Sequence, residues 1–222
     1  MITKLTRIAE IAKERPREKF TSLAHLLNEE LLEQCHYELK SGKAPGIDQI
    51  TREEYEKELD ENIAKLVARL KNKSYRPQPV RRAYISKEGT DKKRPLGIPA
   101  YEDKIVQMGL SKILNAIYET DFLDCSCGFR PNRSCHDALK MINFIIEARK
   151  VNYIVDADIK GFFDHVDHEW MMKFLGHRII IHRLIWRILK AGYMENDIIH
   201  ETDEGTPQGE LCKALHRPPY AK

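Results

Sequence analysis

Apolar positions recur at helical spacing between residues 20 and 40, where Leu23, Leu26, Leu27, Leu31, Leu32 and Leu39 share a face. Gly42, Pro45 and Gly46 end that rhythm, and Ala44-Pro45-Gly46-Ile47-Asp48 has loop chemistry. Thr51 followed three residues later by Glu54 forms a capping box and predicts a helix with the stripe Tyr55, Leu59, Ile63, Leu66 and Leu70. Pro77 and Pro79 stop any continuation. Val80 to Ser86 then alternates loosely as a strand, Glu88 to Asp91 supplies a turn, and Arg94 to Ile98 returns as a second strand. The prolines place this hairpin at a sheet edge.

A long helix is predicted from about Glu102 to Tyr118, with Ile105, Val106, Leu110, Ile113, Leu114 and Ile117 on one face. Another starts at Ser134, capped against Asp137 and carrying Leu139, Ile142, Ile145 and Ile146. Tyr153-Ile154-Val155 leads into Asp156 to Ile159, which reads as a short, largely buried strand ending in acids. Two further helices are expected around His168 to Lys173 and Arg183 to Lys190. With no internal repeat, the pattern describes a mixed α/β (α+β) chain.

Composition narrows the class. The 222 residues are 42% hydrophobic and 32% charged, as in an ordinary soluble globular protein. The longest apolar runs, such as Ile179 to Ile181, fall far short of the roughly 18 residues a membrane span needs. Arg7, Glu10, Lys13, Glu14 and Arg15 interrupt any signal-peptide core, so no membrane contact and a cytoplasmic location are expected. Five cysteines, an odd and unevenly spread set, favour free thiols. Cys125, Cys127 and Cys135 with His136 lack the paired spacing of a zinc site, so small buried side chains are expected there.

The net charge of +3 conceals a segregation: residues 71–94 hold nine basic and two acidic residues, leaving 28 basic and 32 acidic elsewhere. Such a stretch suits a phosphate backbone, and it equally describes a solvated basic face; charge alone does not decide. Asp158 closes an apolar run beside Gly161-Phe162-Phe163-Asp164, a placement suited to a hard cation. An ordinary acid or a helix N-cap at Asp164 or Asp167 accounts for the same residues. Gly205-Thr206-Pro207-Gln208-Gly209, by itself, is a turn.

Taken in order, six runs resemble bacterial group II intron reverse transcriptases (intron maturases). They are Lys43 to Asp48, Tyr75 to Arg82, Lys93 to Pro99, Gly128 to Ser134, Asp158 to Asp164 and Gly205 to Gly209. The resemblance implies a right-hand polymerase: an N-terminal helical segment (1–19), N-terminal extension and fingers (20–150), and part of the palm (151–209). It implies RNA-directed DNA synthesis with two Mg²⁺ ions, an RNA template, a DNA primer and dNTPs. Asp158 matches the first metal-binding aspartate, and the carbonyl of Ile159 a second ligand. Phe163 matches the aromatic that excludes a 2′-hydroxyl. Lys87 and Arg94 match residues gripping the triphosphate, and Gln208 the glutamine of the nucleotide pocket.

Residues 210–222 depart from the family pattern, which continues to a Tyr-x-Asp-Asp turn bearing further metal-binding aspartates. No Tyr-x-Asp-Asp occurs in the sequence. The expectation is a polymerase fragment inactive alone; an RNA-binding module without catalysis and one half of a split enzyme are the alternatives. Self-association or a complementing palm-and-thumb polypeptide is expected to cover exposed apolar surface.

Overall fold

The computed structural model describes residues 2–86, 89, 93–180 and 182–206, and the side chains of all of these except Ile2, Thr3, Arg94 and His182. In chain order the helices are α1 (Ile2–Glu14), α2 (Glu29–Glu38), α3 (Arg52–Glu56), α4 (Leu59–Lys71), α5 (Tyr101–Tyr118), α6 (Cys135–Ala148), α7 (His168–Leu175) and α8 (His182–Leu189). The strands are β1 (Val80–Ser86), β2 (Lys93–Ile98), β3 (Tyr193–Glu195) and β4 (Ile198–His200). The chain is thus α+β. No helix among the described residues is long and apolar enough to cross a membrane.

Helix α5 is the axis of the core. Its buried residues face almost every direction, from Tyr101 and Ile105 to Ile117 and Tyr118, and α1, α2 and α4 build the core with it. The expected single helix over residues 20 to 40 is interrupted instead. Ala24–Leu26 is a 3₁₀ turn, and Asn28 starts α2 by accepting from the Leu31 N–H at 3.0 Å. An Asn side chain that satisfies one of the free N–H groups of a helix start fixes that start more firmly than leucine spacing does. Both expected capping boxes, Thr51 with Glu54 and Ser134 with Asp137, are present.

The sheet order is β2-β1-β3-β4, so the basic hairpin lies at an edge, as its prolines require. β1 and β2 run antiparallel with Ile85 opposite Arg94. A short parallel ladder joins Val80 to Tyr193 and Arg81 to Met194, and β3 turns back to β4 through Asn196 and Asp197, both with positive φ. A two-residue turn with φ > 0 at both positions is the standard hairpin connection, and Asn and Asp tolerate it. The pattern reading missed this hairpin.

Two corrections follow. Residues 151–159 form no strand: Tyr153 and Val155 are 89% and 88% exposed, and Ile154 and Ile159 are exposed too. A strand exists only through a ladder partner, and the described sheet offers this run none. α6 likewise buries no residue, so Leu139, Ile142, Phe144 and Ile145 face outward. The cysteines also differ from expectation. Among the described ones Cys35 alone is buried, and Cys125 and Cys135 are exposed; all four are free thiols.

The run Tyr75 to Pro79 carries α4 into β1 over a buried acid. Asp103, 3% exposed, accepts from the Tyr75 hydroxyl and from the Gln78 N–H at 2.9 Å. Burial outweighs those two bonds and raises its pKa from 3.8 to about 6. Because the folded protein then binds this proton more tightly than the unfolded chain, stability falls as pH rises from about 4 to about 6. The loss is on the order of 3 kcal/mol. Urea midpoints should show that slope, and Asp103→Asn should flatten it. An unchanged slope in the Asn variant would mean that another group titrates.

Candidate functional site

A groove of about 330 Å³ opens between the basic hairpin and the segment that follows the exposed coil. Its hairpin wall is Val80, Arg82, Pro95 and Gly97; Phe163, Asp164, Glu204, Gly205 and Thr206 face it. Gly161, in the left-handed region at φ 64°, turns the chain out of the coil and into the short 3₁₀ turn Phe162–Asp164. That turn places Phe163 on the groove.

The Gly205-Thr206 start of the glycine-flanked loop lies alongside. The Thr206 N–H donates to the Phe163 carbonyl at 2.9 Å, and the Gly205 N–H to the Val166 carbonyl at 2.8 Å. A Cβ on Gly205 would stand 2.7 Å from the Asp164 carbonyl oxygen, and its φ is 80°, so glycine is required twice over. Buried His168 locks the same corner by donating Nε2–H to the Gly205 carbonyl at 2.6 Å. Asp167 caps α7 through the Trp170 N–H at 2.8 Å, which settles which of the two aspartates is the N-cap.

The floor of the groove carries a cation on an aromatic ring. The Arg82 guanidinium lies 3.5 Å from the Tyr193 ring centroid, and that ring also stacks on His200 at 4.9 Å and 17°. A guanidinium held flat on a ring keeps its charge while its N–H edges stay available to an anion. On the outer hairpin, the Tyr84 hydroxyl donates to Glu195, and that bond raises its pKa.

Of the residues singled out in the sequence, Phe163 lines this groove. Asp158 and Ile159 sit in the exposed coil and are not among its lining residues, and the Ile159 carbonyl accepts the Phe162 N–H at 3.3 Å. Arg94 lies in β2, with its side chain outside the described set; Lys87 and Gln208 lie outside the described residues. Tyr193 and Glu204 are groove residues outside every quoted run, whereas Arg82, Asp164 and Thr206 lie within quoted runs that gave them no role in this groove. Arg82 was visible within the basic stretch, but its stacking partner belongs to the hairpin that was missed.

Mg²⁺ takes oxygen ligands, often one or two carboxylates completed by water and substrate phosphates. Asp158 and Asp164 supply donors of that type. No three His, Cys, Asp or Glu side chains converge among the described residues. Of the two, Asp164 lines the groove and Asp158 does not, so the described residues form no closed protein cage for the ion.

The reverse transcriptase (RNA-dependent DNA polymerase) family model matches residues 85–212, from the end of β1 through β2, the Phe163 turn and the Gly205 loop. The chain belongs to the reverse transcriptase family. Among its relatives, the group II intron-encoded protein LtrA of Lactococcus lactis subsp. cremoris is 40% identical over 215 residues, covering 95% of this chain and 36% of LtrA. Protein YkfC of Escherichia coli K12 is 34% identical over 182 residues, covering 79% of this chain and 48% of YkfC. A 91 kDa protein in the cob intron of Schizosaccharomyces pombe is 37% identical over 158 residues, covering 69% of this chain and 19% of that protein. The resemblance to group II intron reverse transcriptases thus holds over nearly the whole chain. The chain itself spans about a third of LtrA and about half of YkfC.

Proposed function

We propose that this reverse transcriptase chain grips an RNA template and an incoming dNTP in the groove between the basic hairpin and the Phe163 turn. The meeting of Arg82 with Phe163 and Gly205 in one groove carries this reading. Residues 20–150 act as fingers and residues from 151 as the first part of the palm. Asp158, with the Ile159 carbonyl, supplies one side of a Mg²⁺ site; bound there, Mg²⁺ would steady charge on the transferred phosphoryl group. Phe163 excludes a 2′-hydroxyl, Lys87 and Arg94 hold the triphosphate, and Gln208 contacts the nucleotide. The setting is cytoplasmic.

Synthesis in this reading needs the Tyr-x-Asp-Asp aspartates, which these 222 residues do not contain, so these residues by themselves are expected to make no product. The rest of a palm and a thumb, on whichever polypeptide carries them, would complete the site. The exposed apolar run 151–159 beside the uncovered face of α6 favours such a partner, or a second copy.

Primer extension on an RNA template with Mg²⁺ should yield no product from the chain alone, and detectable incorporation would overturn its inactivity. RNA affinity should fall steeply with salt and drop roughly tenfold in the Lys87→Ala, Arg94→Ala double variant. Affinity indifferent to both substitutions would remove the groove reading. Sedimentation of the same preparation should show association, and a strict monomer would count against the covering partner.

A further inference from the structure

Both tryptophans of the chain lie on the surface formed by α7 and α8 and neither lines the main groove. Trp170 is 58% exposed and Trp186 36%. Large aromatic rings left open to water are uncommon on a surface without a partner, and here they sit among cations. The Lys173 ammonium lies 4.5 Å from the Trp170 ring centroid. On α8, Ile185, Ile188 and Leu189 are buried, whereas Arg183, Trp186, Arg187 and Lys190 follow the i, i+3, i+4, i+7 spacing of the other face.

Trp186 opens onto a cleft of about 810 Å³, lined also by Lys19, Lys173, His177 and Arg183, with Glu169 as its acid. That volume lies within the range of small-ligand clefts, roughly 300–1,000 Å³. The cleft shares no lining residue with the main groove. Among the described residues, Lys19, Lys173 and Arg183 form no ion pair, while Lys190 is neutralised by Asp203 at 2.8 Å. Arg187 donates to the Lys73 and Tyr75 carbonyls, both at 2.9 Å, which holds it against Arg76 on the same two carbonyls. Desolvation first, then the like charges of Arg76 and Arg183, lower its pKa. The surface thus gathers positive charge that the fold does not cancel.

We propose that this cleft is a second RNA-binding site, in which a single-stranded base stacks on Trp186 while Lys19, Lys173 and Arg183 hold the flanking phosphates. An open aromatic face within a ring of cations is the arrangement that single-stranded nucleic acid recognises: bases stack whatever their identity, and phosphates answer the charge. An acidic peptide would satisfy the cations but has no flat partner for the indole.

Fluorescence provides the test. In Trp170→Phe the remaining indole emission comes from Trp186, and a short oligoadenylate should quench it saturably. Lys173→Ala with Arg183→Ala in that background should weaken the quenching affinity roughly tenfold and reduce the salt slope by about 1.4, as expected for two lost single-strand phosphate contacts. Lys173 and Arg183 are exposed, so the fold should survive, as circular dichroism would verify. Absence of quenching, or quenching that the double substitution leaves unchanged, overturns the site. Poly-glutamate quenching as strongly as oligoadenylate would assign the cleft to an acidic protein instead. Lys173 and Arg183 line this cleft and not the main groove, so loss of quenching affinity in their double variant separates the two sites.

Discussion

Gly46→Ala is expected to destabilise the chain by about 3 kcal/mol, at the upper end of what one added methyl costs in a packed site. A Cβ there would stand 2.5 Å from both the N and the Cα of Ala100, and 2.7 Å from the Pro99 carbonyl carbon. These are backbone atoms at the junction of β2 and α5, so no side chain can rotate aside. The loop must lift instead. Lifting it would break the hold of Arg81, which donates to the Pro45 carbonyl at 2.7 and 3.1 Å, and of Lys104, which donates to the Ala44 carbonyl at 2.8 Å. Thermal unfolding should show a Tm lower by roughly 6–12 °C for a domain of this size. Gly109→Ala is the comparison: its Cβ meets only leucine methyls of the α2 region, the nearest at 2.9 Å, which can shift. Gly46→Ala as stable as the parent chain would mean that the loop does not rest on Ala100.

The second large effect is expected at Arg178, which is 4% exposed. Its guanidinium donates to the Pro16 carbonyl, to the Ala12 carbonyl at 3.1 Å and to Asp121 at 3.2 Å. Around it, Phe20 and the α7–α8 link exchange backbone bonds: the Phe20 N–H donates to the Arg178 carbonyl at 2.7 Å, and the Ile180 N–H to the Phe20 carbonyl at 3.1 Å. Arg178→Met keeps most of the bulk but removes a buried charge partner of Asp121 and the donor to the Ala12 and Pro16 carbonyls, a loss of roughly 3–5 kcal/mol. Urea unfolding measures the total. Amide exchange should place the first opening at residues 12–20, and protection there equal to that of the parent chain would refute the role given to Arg178.

Much of the helical framework was legible because its signals are local. Thr51 with Glu54 and Ser134 with Asp137 satisfy helix N–H groups within three residues, and the structure retains both. The breaks inside that framework were harder to see. Asn28 overrides a leucine rhythm that continues across it, and α3 gives way to α4 at Lys57–Glu58, although the apolar stripe runs on. Residues 153–159 failed for the opposite reason. Their apolar character was evident, but strand formation depends on a partner that no local pattern reveals.

The site was legible only in part. Phe163 and the Gly205 loop belong to runs that the family resemblance quoted, and they do lie side by side on one wall of the groove. Arg82 ends another quoted run, but it acts through Tyr193, more than a hundred residues away, in a hairpin whose Asn196-Asp197 turn was the readable clue. The run Tyr75 to Pro79 carries a different lesson. It was quoted as a family motif, and within this fold its hydrogen bonds to Asp103 make it a structural splice between helix and strand.

The tie at Arg178 also sets a schedule for synthesis. The residue that anchors Ala12 lies 166 positions later in the chain. At the usual 5–20 residues per second, roughly 8–30 s separate the emergence of α1 from the ribosome and that of its anchor. Throughout that interval the first helix has no guanidinium to donate to its C-terminal carbonyls, so its end is expected to stay poorly protected until Arg178 emerges and to be a natural place for a chaperone to hold the nascent chain.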